Sequence, residues 1–262
     1  MDIHGIELYC EDHAGAGIPR VFLNGIGMTA SHWKDFREHL KPGRDIVHDF
    51  KDQLRSAKAD APYDMDSHAD ELCRLLDACE VDAGSVIGTS YGAEVGLLFA
   101  LRHPDRCHSL VMIDGVSESD AVLKTAVESW KAAALSDARV FYRTLIPWNY
   151  SARFITENRQ MLAEREEAVA GLPREYFEGF ARLCDAFLRF DVTDELSRIV
   201  CPTLILVAEH DILKTHAYSQ RMQDHIPEAE LEIIPGAGHA VVIENPKDCA
   251  ERTQVFLDRL DY

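Results

Sequence analysis

A serine hydroxyl, a carboxylate and an imidazole, met in that order along one chain, are the parts of an activated nucleophile. This sequence offers Ser90 within Gly88-Thr89-Ser90-Tyr91-Gly92, Asp211 within Glu209-His210-Asp211-Ile212-Leu213, and His239 within Gly236-Ala237-Gly238-His239. A serine hydroxyl attacks poorly at neutral pH, so it needs a base within hydrogen-bond reach, and that base needs a partner to fix its tautomer. Of the 12 histidines, only His239 lies in a glycine-rich loop directly after an expected strand, where an imidazole can reach back over a sheet edge. Asp211 follows a buried strand's end and falls between serine and histidine in the chain. Glu209 lies close beside it. Asp114, at the end of the strand expected after the serine, is the rival for the acid position.

These side chains need particular elements to hold them. Ser85-Val86-Ile87 has the β-branched character of a buried strand, and residues 94–101 have the spacing of a helix that ends before Pro104. Ser90 sits on the corner between the two. So sharp a turn strains the serine backbone and brings strand and helix together until side chains two residues either side of it would collide. Gly88 and Gly92 have none to collide. A glycine-flanked serine alone is usually only a turn, but with strand before and helix after it reads as a nucleophile elbow. The hydroxyl is then presented at a helix N-terminus, with the Tyr91 N–H free to donate to an oxyanion.

The same alternation runs through much of the chain. Residues 3–11 alternate weakly, as an edge strand or hairpin. Val21-Phe22-Leu23 breaks at Asn24-Gly25-Ile26-Gly27, and residues 31–40 resume a helical pattern with Trp33, Phe36 and Leu40 on one face. Residues 45–50 read as a strand, 51–63 as a loop too hydrophilic for core, 65–79 as an amphipathic helix, 108–114 as a strand. Strands alternating with helices predict a mostly parallel sheet covered on both faces. From 116 to about 197 the strand signals stop. Helices are expected over 121–135, 137–145, 151–170 and 173–190, with breaks at Ile146-Pro147 and Gly171-Leu172-Pro173, and 11 of the 22 aromatic residues fall here. Such residues either fill a small subdomain's own core or line a pocket. Strands return at 202–208 and 231–234, with helices at 215–225 and 246–260.

Composition narrows the class. The 262 residues carry 27 Lys and Arg against 45 Asp and Glu, a net charge of −18, which repels phosphate backbones and anionic headgroups. Neither nucleic acid nor a membrane is expected as a partner. Seven scattered cysteines without a C-x-x-C pair or metal-ligand spacing read as reduced core residues. With no signal-like N-terminus and no apolar run of about eighteen residues, a soluble cytoplasmic protein is expected.

The elbow, Asp211 and Gly238-His239 together resemble the α/β-hydrolase superfamily over the whole chain. The resemblance implies an eight-stranded, mostly parallel sheet with helices on both faces, a core of residues 1–115 and 198–262, and an inserted helical cap over 116–197. It implies a second oxyanion donor in the N–H of Ile26, beside that of Tyr91. Two departures stand out. Many members open the oxyanion loop with His-Gly, where this chain has Asn24-Gly25; many carry D-x-x-G-x-G-x-S, where this chain has Asp49 to Ser56 without either glycine. The second implies a less tightly turned loop. The Leu23-Asn24-Gly25 opening, with Met28-Thr29-Ala30-Ser31 after it, is also similar to the acyltransferase that joins two hydroxyacyl chains into rhamnolipid precursors.

The reading that follows is a serine hydrolase acting, without metal or organic cofactor, on a small-molecule carboxylic ester, lactone or thioester with an apolar acyl part. The acyl-enzyme forms on Ser90, and Asn24, Trp148, Phe180 and Phe187 are expected to bind substrate. Passing the acyl group to a hydroxy acid is the alternative outcome on the same site. A catalytically silent ligand-binding receptor that keeps the fold is the alternative from another class. A serine rather than a carboxylate at the elbow argues against dehalogenase and epoxide-hydrolase chemistry.

Overall fold

The computed structural model describes residues 1–3 and 5–260. Its strands are β1 Cys10–His13, β2 Arg20–Leu23, β3 Asp45–His48, β4 Gly84–Thr89, β5 Cys107–Ile113, β6 Thr203–Ala208 and β7 Glu230–Ile234. Between them run α1 Lys34–Glu38, after a 3-10 turn at Ala30–Trp33, α2 Asp66–Ala78 and α3 Tyr91–Arg102. Five helices lie between β5 and β6: α4 Ala121–Ser136, α5 Ala138–Asn149, α6 Ala152–Glu157, α7 Arg159–Ala170 and α8 Arg174–Phe187. The chain finishes with α9 His216–His225, α10 Val241–Glu244 and α11 Pro246–Asp258.

The strands form one sheet in the order β1-β3-β2-β4-β5-β6-β7. Only β1 runs antiparallel to its neighbour; every other pair is parallel. Parallel strands are covered on both faces, which is why β2, β4 and β6 are buried at every position. One face packs on Leu72 and Leu76 of α2 and Val95 and Phe99 of α3. The other packs on Trp33, Phe36, Val242 and Phe256. Strand ends pointing the same way leave β2, β4, β6 and β7 delivering their following loops to one edge, where an α/β sheet builds its sites.

The sheet has seven strands among the described residues, one fewer than the resemblance implies. Residues 3–11 yield β1 and a single bridge between Asp2 and Glu7, not a hairpin. Gly5 turns the chain in the left-handed region, and Ile3 and Leu8 point into the core instead of alternating along a ladder.

The helical insertion follows local rules closely. Asp120 caps α4 by accepting from the N–H groups of Val122 and Leu123, and Asp137 caps α5 through Arg139 and Val140. Two boundaries differ from expectation. Helix α5 runs through Pro147, which forfeits one N–H hydrogen bond of the last turn, and the end is closed by Tyr150 N–H to Ile146 O. The stretch expected as one helix over 151–170 is instead α6 and α7, divided at Asn158. No helix among the described residues is long and apolar enough to cross a membrane.

The loop over 51–63 is solvated at Leu54, Arg55 and 60–62, as its composition suggests, but pinned near its start. Asp52, Gln53 and Ser56 are buried, and Asp52 takes a φ of 71°. The loop is tightly turned without the family's glycines. Arg182 of α8 holds both Asp52 carboxylate oxygens, at 3.0 and 2.6 Å, which offsets the strain of a left-handed aspartate.

Candidate active site

Ser90 sits between β4 and α3 with φ 52° and ψ −118°, a conformation that a side-chain-bearing residue adopts only under constraint. Its N–H is fixed to Ile113 O at 2.8 Å. A Cβ on Gly88 would lie 2.3 Å from Gly92 O, so strand and helix do collide there without glycine. On Gly92 the obstacle is different: a Cβ would lie 2.1 Å from Leu23 O, at the end of the neighbouring strand. The elbow is thus wedged between its own strand and β2.

The loops after β6 and β7 bring the other two groups to it. His239 Nε2 lies 2.8 Å from Ser90 Oγ, and His239 Nδ1 lies 2.7 Å from Asp211 Oδ2. Asp211 Oδ1 accepts from the N–H groups of Leu213 and Lys214, at 2.7 and 2.8 Å. Burial alone pushes the Asp211 carboxyl up; the charge and hydrogen bond of His239 and the two backbone donors outweigh it and hold the carboxyl below its usual range. Asp114 is placed differently. It is fully buried at φ 49°, one oxygen accepts from Ala208 N–H at 2.8 Å, and the other makes no hydrogen bond of good geometry among the described residues. Burial, and then the charge of Asp211 nearby, push its carboxyl far above the usual range. The imidazole therefore meets Asp211, and not Asp114.

The histidine loop is fastened to the insertion. Ala240 N–H donates to Asn149 O at 2.7 Å, a Cβ on Gly238 would lie 2.5 Å from Ser151 N, and Glu244 accepts from Ser151 N–H and Oγ at 2.7 and 2.6 Å.

The loop after β2 turns at residues 25–28, closed by Met28 N–H to Gly25 O at 3.0 Å. Among the described residues no hydrogen bond occupies the N–H of Ile26 or of Tyr91. Asn24 does not bind substrate through this loop: it is fully buried and lies outside the cavity lining. Its amide donates to His48 O and Gln53 Oε1, both at 2.9 Å, and accepts from Trp33 Nε1 at 2.9 Å. Every strong hydrogen-bonding position is spent on holding the loop. Gln53 completes that scaffold through Gly25 O at 2.8 Å. A hydrophilic loop in the sequence gave no sign of it.

Ser90 and His239 open on a cavity of about 370 Å³ whose far side is the insertion. Ile26, Phe141, Tyr142, Leu145 and Phe180 are among its lining residues. Two of the expected contacts are not there. Trp148 stands behind the wall, edge-on to Trp130 at 6.5 Å, because α5 continues past Pro147 and carries the ring with it. Phe187 lies outside the lining, its ring 5.2 Å from Lys214 Nζ. Arg165 is the lining's single Lys, Arg, Asp or Glu side chain, and its one hydrogen bond among the described residues is with Tyr150 Oη, at 2.9 Å.

Lys214 and Glu94 were missed in the sequence. Both are buried; Lys214 Nζ donates to Glu94 Oε2 at 2.7 Å and reaches Ser90 Oγ at 3.3 Å. Burial raises the Glu94 carboxyl, with Lys214 opposing. The available signal was a lone carboxylate in the otherwise apolar run of α3, which a buried helix tolerates only with a partner.

A parallel sheet with a strained serine after β4, an acid after β6 and a histidine after β7 defines the α/β-hydrolase class. The sequence model of the alpha/beta hydrolase family matches residues 21–252, and the chain belongs to that family. It is 28% identical over 248 residues, 92% of this chain and 91% of the relative, to "Putative carbamate hydrolase RutD" of Caulobacter sp. (strain K31). Among solved structures it is similar to MGS-M2, an alpha/beta hydrolase enzyme from a Medee basin deep-sea metagenome library, at 28% identity and TM-score 0.92, covering 97% of this chain and 95% of that one. It is also similar to a thermophilic esterase from Thermogutta terrifontis, at 25% identity and TM-score 0.86, covering 98% and 95%.

Proposed function

We propose that the chain is a serine hydrolase that cleaves a carboxylic ester, lactone or thioester through an acyl-enzyme on Ser90. The observation that carries this reading is the unbroken relay Asp211–His239–Ser90 opening on a largely apolar cavity. Ser90 Oγ attacks the acyl carbon as its proton passes to His239 Nε2. Asp211 holds the ring and stabilises the imidazolium. The N–H groups of Ile26 and Tyr91 receive the oxyanion. The imidazolium then protonates the leaving oxygen or sulfur, and water, activated by the same base, releases the acid. The helices over 116–197 serve as the cap, and Phe180 sets room for the acyl part. The esterase among the structural neighbours supports this chemistry, and the relatives carry the name of a carbamate hydrolase.

Acyl transfer to a hydroxy acid is the second reading, and Arg165 favours it. A guanidinium with no carboxylate partner among the described residues, on the wall of an apolar cavity, suits an acceptor that brings its own carboxylate. Labelling by a fluorophosphonate, lost in Ser90→Ala, tests the nucleophile. A Ser90→Ala protein that keeps more than about a hundredth of wild-type turnover overturns it. Product analysis across acyl esters, lactones and thioesters, with and without a 3-hydroxy acid, then separates hydrolysis from transfer.

A further inference from the structure

The oxyanion donors and His239 account for the carbonyl oxygen and the transferred proton, but not for the third group at the nucleophile. Lys214 Nζ approaches Ser90 Oγ at 3.3 Å from the protein side, outside the lining of the cavity. Its side chain is 4% exposed and that of Glu94 is fully buried. The pair is held from three directions. Glu94 Oε2 takes the ammonium at 2.7 Å, Glu94 Oε1 takes the N–H of Val116 at 2.9 Å, and the Phe187 ring covers Nζ at 5.2 Å. An ammonium has three protons and no lone pair, so its contact with Oγ has one polarity: Lys214 donates and the serine oxygen accepts. That leaves the hydroxyl's own proton for His239 Nε2, 2.8 Å away.

We propose that Lys214, held by Glu94, is a catalytic residue that orients the Ser90 hydroxyl and stabilises the negative charge that develops on Oγ. The proposal rests on Ser90 being the nucleophile. In acylation the Oγ–H bond breaks, its proton goes to His239, and an Oγ lone pair forms the bond to the acyl carbon. Oγ is most electron-rich just before that bond closes. In deacylation water adds to the acyl carbon, the carbon–Oγ bond breaks with its electron pair passing to Oγ, and His239 returns the proton. Lys214 keeps its three protons throughout. Because both half-reactions put charge on the same oxygen, both gain from one fixed donor. Glu94 keeps the ammonium from acting as an isolated buried charge, whose cost would otherwise exceed its benefit.

A buried ion pair that merely joined α3 to the loop after β6 would be replaceable by apolar groups of similar volume with little loss. The test is built on that difference. Lys214→Met, the double variant Lys214→Met/Glu94→Leu and Ser90→Ala are compared with wild type by rate of fluorophosphonate labelling, by kcat and KM on p-nitrophenyl butyrate, and by melting temperature. Lys214→Met should slow labelling and lower kcat about 10- to 100-fold, the scale of one hydrogen bond from a charged donor, with KM nearly unchanged. The double variant should recover the melting temperature that Lys214→Met loses, yet label as slowly. If the double variant labels at the wild-type rate, or if the losses follow melting temperature from variant to variant, the pair is structural and the proposal falls. Labelling that persists in Ser90→Ala overturns the nucleophile assignment instead, a separate result from wild-type-rate labelling of the Lys214 variants.

Discussion

On one side of the cavity Ser90, Asp211 and His239 hang from the ends of β4, β6 and β7, each at a position fixed by the backbone. On the other side Phe141, Tyr142 and Phe180 project from helices, and their places depend on how α4, α5 and α8 pack. The first wall tolerates almost no variation in residue type: Gly88 and Gly92 have backbone within 2.3 Å of where a Cβ would go. The second requires only bulk and an apolar surface. Geometry that a bond-making step needs is built from turns and ladders, while volume that a substrate needs is built from side chains that can be exchanged.

The largest effect that sharpens this contrast lies in the acid. Asp211→Asn should lower kcat by about 10³- to 10⁴-fold with KM little changed, since the wrong imidazole tautomer would face Ser90. Asp114→Asn should cost less than about tenfold, because the imidazole is held by Asp211 and Asp114 accepts from Ala208 N–H instead. Steady-state kinetics on both variants check the ranking, and the reverse order would move the acid to the end of β5.

The helical wall should respond by substrate instead. Phe180 is 1% exposed and packs against Phe141 with ring centroids 4.7 Å apart. Phe180→Ala should lower stability by about 3 to 5 kcal/mol and change kcat/KM more for long acyl esters than for acetyl esters. Trp148→Ala, behind the wall, should scale every substrate alike. Acyl-length profiles taken with denaturant curves decide this, and a flat profile for Phe180→Ala would break the contrast.

What could be read from the chain follows the same division. The elbow, the glycine loop before His239 and the alternation of strands with helices are legible because turns and parallel strands demand particular residue types at fixed spacing. Asn24 was misplaced because a buried amide and a substrate-facing amide look alike in a sequence; only its bonds to His48, Gln53 and Trp33 distinguish them. Phe187 and Phe180 share one helix face in the sequence, yet one lines the cavity and the other covers Lys214. Spacing gives the face of a helix and says nothing of what lies opposite it. Lys214 and Glu94 are 120 residues apart, a pairing that no local pattern contains.

A smaller effect separates the two regions by pH. His48, beneath the loop after β2, is fully buried with no hydrogen bond to either ring nitrogen among the described residues, and burial lowers its pKa to about 4. Unfolded, it would take up a proton below about 6.5. A base whose folded pKa is depressed contributes stability that is complete above the unfolded value and lost as pH falls toward the folded one. Stability should therefore drop between pH 6.5 and pH 4, by on the order of 3 kcal/mol from this residue, with His68 adding in the same direction. Urea titrations at several pH values should show the drop, and His48→Leu should flatten it. The insertion's charged pairs, Arg143–Glu166 among them, are surface contacts that contribute little here.

The joint between α5 and α6 ties the two walls together. Asn149 O holds Ala240 beside His239, and Ser151 presses on Gly238 and binds Glu244. The helices of the insertion are consequently not an interchangeable module. A graft that replaced residues 116–197 with another protein's helices would inherit a histidine with no seat unless it brought an equivalent of the segment from Asn149 to Ser151. In lineage terms, α7 can drift without touching the loops that carry Ser90, Asp211 and His239, whereas the end of α5 must change in step with the loop that carries His239, and α8 with Asp52 and Lys214.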